Sequence, residues 1–205
     1  MILQINEKIS LYVEEYGSGD RYILSAQVGF YPKGMQQKLA EMGYHVYCIT
    51  LRGFAPSSFV DEDYGEAWYD IFADDVAAVA DKFSIKKFIY MGASHIAAQP
   101  TRPAEEKAVD YGRPLMKYKN EENLCAALKT IQVPTLMIGG VNDPISTPEL
   151  MIRTAKCLPH CKLVIYSNCG HDIDTDLIEE TCDAADRFIK TVEGTGKWYK
   201  RVEEV

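Results

Sequence analysis

The sequence is short of several features that whole classes of protein need. Basic residues are outnumbered: 22 Lys and Arg face 30 Asp and Glu, for a formal net charge of -8. A chain of that sign lacks the positive field that draws in a phosphate backbone, so no nucleic-acid partner is expected. No apolar run approaches the ~20 residues that span a bilayer, and no membrane partner is expected either. The opening residues, Met1-Ile2-Leu3-Gln4-Ile5, lack the basic region and long apolar core of a signal peptide, which points to a cytoplasmic protein. No segment repeats. The Gly-x-Gly-x-x-Gly phosphate loop is missing, because neither Gly92-Ala93-Ser94 nor Gly139-Gly140 completes it; a nucleotide-binding Rossmann-like reading is therefore weak.

Cys-x-x-Cys pairs are also absent. The six cysteines, Cys48, Cys125, Cys157, Cys161, Cys169 and Cys182, are scattered. Their expected state is free thiols in a reducing cytosol. Cys157, His160 and Cys161 crowd one short turn. Without a fourth ligand they are weak evidence for a metal, and none is assigned.

What is present is an ordinary globular balance, with 47% hydrophobic and 25% charged residues in a chain of 205. That length suits one domain with a sizeable core, placed at 1–193. The remainder, 194–205, carries Lys197, Lys200 and Arg201 and reads as an exposed tail. Strand-like runs lie at Leu11–Tyr16, Tyr22–Ala26, His45–Leu51, Phe88–Met91, Leu136–Ile138 and Leu163–Tyr166. Helical spacing occurs over 35–42, Trp68–Phe83, 121–130, 148–157 and 175–191, with Gly43 as a C-terminal stop. This alternation predicts an α/β fold: a mainly parallel twisted sheet flanked by helices. Ligands in such sheets bind beyond the carboxyl ends of strands.

Three residues stand at such positions. Ser94 follows the strand Phe88–Met91 in Gly92-Ala93-Ser94-His95, where a sharp strand-to-helix turn would present its hydroxyl. Asp143 follows Leu136–Ile138; it can orient an imidazole, or simply start a turn before Pro144. His171 follows Leu163–Tyr166 and can take and return a proton. Each alone is commonplace. Together they run Ser, Asp, His along the chain, each after a strand.

That order, with Val28-Gly29-Phe30, the segment Leu51-Arg52-Gly53-Phe54-Ala55-Pro56-Ser57-Ser58, Gly92-x-Ser94, Gly140-x-x-Asp143 and Gly170-His171, resembles the α/β-hydrolase family from about residue 9 to residue 190. The resemblance implies a serine hydrolase cleaving a small ester, thioester or lactone through an acyl-enzyme. Ser94 is then the nucleophile, His171 the general base and acid, and Asp143 the residue that orients it. Backbone N–H groups of Phe30 and His95 form the oxyanion hole. The implied partner is a small-molecule acyl substrate. No cofactor is implied, and a homo-oligomer is compatible with the sequence.

The chain departs from the family at the elbow. Ile96 stands where the family has its second glycine, and Pro100 and Pro103 leave little room for a helix. Little or no cap domain fits between Ser94 and Asp143. The stretch Ile96–Gln99 looks like the next strand, yet parallel neighbours need a crossover of roughly a dozen residues. Either that stretch is not a sheet strand or the elbow helix is missing from the sequence. These departures keep a second reading open, a non-catalytic relative that binds a small ligand or a protein.

Overall fold

The computed structural model describes residues 1–27, 32–92 and 120–195. Ser94, His95, Phe30 and the stretch Ile96–Gln99 therefore lie outside the described residues. The chain divides into two compact units, Met1–Lys117 and Tyr118–Val205.

The first unit holds a five-stranded sheet in the order β1-β2-β4-β3-β5. Its strands are β1 (Ile2–Gln4), β2 (Ser10–Tyr16), β3 (Arg21–Gln27), β4 (Tyr44–Thr50) and β5 (Phe88–Gly92). β3 runs parallel to both β4 and β5, while β2 is antiparallel to β4. The helices are α1 (Gly34–Glu41) and α2 (Trp68–Lys82). Between α1 and β4 the chain reverses at Gly43, whose φ of +96° suits a residue without a Cβ.

Strand alternation sorts the side chains onto two unlike faces. Leu11, Val13, Leu24, Tyr47 and Ile49 share one face and form a dry core with Trp68, Phe72, Val76 and Val79 of α2. The apolar residues of α2 recur three and four apart, so they make one stripe along the helix. Trp68 stacks obliquely on Phe72, with ring centroids 5.4 Å apart. The opposite face, under α1, mixes Ile23 and Val46 with buried Ser25, Gln27 and Cys48. There Gln36 of α1 donates to the Ser25 hydroxyl at 3.2 Å.

The segment after β4 is held by polar contacts at both ends. Arg52 reaches α2 and grips Asp75: its Nη2 lies 2.6 Å from Oδ1, and its Nε lies 3.0 Å from Oδ2. Asp75 is fully buried, so this is a desolvated, two-pronged pair. Ser57 folds back onto β2, accepting from the backbone N–H of Tyr12 at 2.8 Å while donating to the Thr50 carbonyl at 2.6 Å.

The second unit contains β6 (Thr135–Gly140) and β7 (Cys161–Tyr166), parallel and in register from Thr135↔Cys161 to Gly140↔Tyr166. α4 (Pro148–Cys157) makes the crossover. It starts where its sequence says it should, with Thr147 as N-cap and Pro148 in the first turn. α3 (Glu121–Leu128) precedes β6, and α5 (Ile173–Asp176) and α6 (Ile178–Thr195) follow β7.

One expectation is corrected here. Cys125 and Cys157 are not free thiols: they form a disulfide between α3 and α4, with Cα atoms 5.2 Å apart. Pairing consumes Cys157, so it is no longer a thiolate ligand beside His160 and Cys161; among the described residues no cluster could hold a metal. α6 continues through Gly194 to Thr195. No described helix is long and apolar enough to cross a membrane.

Candidate active site

Two of the three predicted catalytic residues fall in the second unit and meet there. Asp143 sits in the turn between β6 and α4, and His171 in the loop between β7 and α5. Because β6 and β7 are parallel neighbours, both loops leave the same end of the strand pair. His171 Nδ1 lies 2.9 Å from Asp143 Oδ2.

The two loops are stitched together by backbone. Val141 N–H donates to the Tyr166 carbonyl at 2.8 Å, and Asn142 N–H donates to the Cys169 carbonyl at 3.0 Å. Gly140 makes this approach feasible. A Cβ there would stand 2.4 Å from the Cys169 carbonyl oxygen and 2.5 Å from that of Gly170.

Asp143 divides its labour between its oxygens. Oδ1 accepts the backbone N–H groups of Ile145 at 2.8 Å and Ser146 at 2.9 Å. Oδ2 faces His171. Oδ1 thus serves the turn, and Oδ2 is left for the imidazole. Burial pushes the Asp143 carboxyl up. Hydrogen bonds from His171, Ile145 and Ser146 outweigh it and hold the group below the usual carboxylate range. The side chain is therefore ionised at neutral pH and can only accept. His171 must then present Nδ1–H to it, which leaves the lone pair of the neutral ring on Nε2.

This arrangement does two things chemically. It fixes the imidazole in one tautomer, and it places a negative charge where an imidazolium would need it. Asp143 is only 6% exposed, so that charge is weakly screened by water. Cys169, buried beside the dyad, is no rival nucleophile. Burial, then the charges of Asp176 and Asp143, push its thiol up, so it stays protonated.

Sequence reasoning missed the close approach at Gly140, which was visible only as a Gly139-Gly140 pair. The turn started by Asp143 was read from Asp143-Pro144, and its donors prove to be the Ile145 and Ser146 N–H groups.

Likeness to solved structures shows that the chain has the α/β-hydrolase fold. No family model matches the sequence, and no curated protein does. Solved structures match over most of their length. An esterase from Thermogutta terrifontis is 17% identical, with a TM-score of 0.67 over 90% of this chain and 94% of its own. The thioesterase domain from the curacin biosynthetic pathway is 13% identical, with a TM-score of 0.69 over 91% and 98%. An Exiguobacterium antarcticum esterase is 15% identical, with a TM-score of 0.66 over 92% and 98%.

Proposed function

We propose that the chain is a serine hydrolase acting on a small ester, thioester or lactone. The observation that supports this most is the Asp143–His171 hydrogen bond at 2.9 Å, with an ionised, buried carboxylate on Nδ1. A histidine held this way carries its lone pair on Nε2, the atom that takes a proton from a nucleophile.

In this reading Ser94 is the nucleophile. Its Oγ attacks the acyl carbon while His171 Nε2 accepts the hydroxyl proton. The bond to the leaving alcohol or thiol breaks, and His171 returns the proton to it. Water then attacks the acyl-enzyme, His171 takes a proton from that water, and Ser94 leaves with a proton restored. Backbone N–H groups of Phe30 and His95 receive the oxyanion. The reaction calls on water and the acyl substrate, with no metal or organic cofactor. We place it in the cytoplasm, in a single domain.

The test is labelling by a fluorophosphonate, followed by peptide mass spectrometry. Ser94 of the wild-type chain is expected to be modified, Ser94→Ala to resist, and His171→Ala to react far more slowly. Ile96, in place of the family's second elbow glycine, favours a second reading, a ligand-binding relative without turnover. An unlabelled but folded wild-type chain would support that second reading.

A further inference from the structure

The disulfide between α3 and α4 joins helices of very different anchorage. α4 is seated on the strands: Met151 is buried, and its sulfur lies only 2.2 Å from where a Cβ on Gly139 of β6 would stand. α3 has no buried residue at all. Its Leu124 is 37% exposed, so burial of apolar surface holds it only weakly. Two cross-links one helical turn apart join α3 to α4. Glu121 pairs with Arg153, and Cys125 is bonded to Cys157. The ion pair is open to water on both partners and contributes little by itself. Among the described residues, the covalent link is therefore the main fastening of α3 to α4.

The two cysteines also lie near the surface. Both cysteines are only half-buried. Cys125 lines an open surface hollow with Ala126 and Lys129. The nearest cysteine along the chain, Cys161, cannot easily compete for the bond. Burial pushes its thiol up, and the thiolate is the attacking form.

We propose that Cys125–Cys157 is a redox site, at which a small dithiol reductant opens the bond and releases α3 from α4 while the Asp143–His171 pair stays assembled. The reductant's thiolate attacks one sulfur, and the other cysteine leaves as a thiolate that takes a proton. The reductant's second thiol then displaces the first cysteine from the mixed disulfide. Two electrons pass to the protein, and the reductant leaves as its cyclic disulfide. The dyad should survive, because the backbone bonds that join its loops, Val141 to Tyr166 and Asn142 to Cys169, do not involve α3. The inference goes beyond the hydrolase reading and does not depend on it.

Thiol titration of the full chain, unfolded without reductant, is expected to find four thiols, those of the other cysteines. Six would overturn the proposal. Hydrogen exchange with and without dithiothreitol is expected to show loss of protection confined to residues 121–128. An unchanged α3, or loss of protection throughout β6 and β7, would overturn it too. The double variant Cys125→Ser, Cys157→Ser is expected to exchange like the reduced chain whether or not dithiothreitol is present. A protected α3 in that variant would show the fastening to be non-covalent and sink the idea.

Discussion

Gly140 and Cys169 approach so closely that a Cβ on Gly140 would lie 2.4 Å from the Cys169 carbonyl oxygen. This contact lets the Asp143 loop and the His171 loop share backbone hydrogen bonds. Gly140→Ala must therefore push the two loops apart, since both offending atoms are backbone. We expect a stability loss of about 1–3 kcal/mol in urea denaturation, together with loss of hydrolytic activity. Gly170→Ala is the control. Its Cβ would meet nothing nearer than the Asn142 carbonyl oxygen at 3.6 Å, and both properties should hold.

Asp143→Asn separates the two roles of that side chain. The amide oxygen can still accept from Ile145 and Ser146, so the turn and the fold should persist. The other atom becomes a donor and no longer accepts Nδ1–H, which frees the imidazole to take the wrong tautomer. Turnover should drop on the order of 10⁴-fold, as when the acid of a serine-protease triad is so replaced. A variant that unfolds in urea like wild type and keeps full kcat would refute the orienting role.

Acid should weaken the fold through the same group. The Asp143 carboxyl is held below its ordinary value, so its contribution is fully present above the unfolded value of about 3.9 and fades as pH falls through the lower folded value. Comparing urea midpoints of wild type and Asp143→Asn from pH 7 down to pH 2 isolates it. The wild-type advantage should shrink on the acid side only; a constant gap would contradict the assignment.

Asp75 is fully buried against Arg52. Removing it strands a guanidinium in a site with little water. Asp75→Ala should cost about 3–5 kcal/mol, the usual penalty for breaking a buried pair from one side. Replacing both residues, as Arg52→Met with Asp75→Leu, should cost markedly less. Denaturant midpoints of the three variants decide it.

Much of this was legible in the sequence. α4 could be read from Thr147-Pro148, because capping chemistry is local. The buried runs of β3 and β4, and the half-buried run of β6, announced themselves by β-branched and apolar residues. Asp143 and His171 were singled out by their places after strands, and these two do meet; Ser94 lies outside the described residues. β1 was missed because three residues are too few to show a period. The expected helix over 175–191 proved to be two, α5 and α6, separated at Leu177. The disulfide was hidden for a different reason. Cys125 and Cys157 are 32 positions apart on separate helices, and their meeting depends on how those helices are set side by side. No local signal encodes that.

The two faces of the first unit's sheet differ in how freely they could be rewritten. Beneath α2 lie Leu24, Tyr47, Ile49 and aromatic rings, shapes that other apolar residues of equal volume can imitate. Beneath α1, Gln36 meets Ser25, and Lys33 meets both Gln27 and Glu14. The Gln27 amide nitrogen and the Gln36 amide oxygen are buried there with no partner among the described residues. Each of these groups accepts only a neighbour of the right polarity in the right place. A drifting lineage, or a designer, could therefore repaint the α2 side piecemeal. The α1 side would have to change in concert, and its polar residues would be the last part of this unit to lose their ancestral identities.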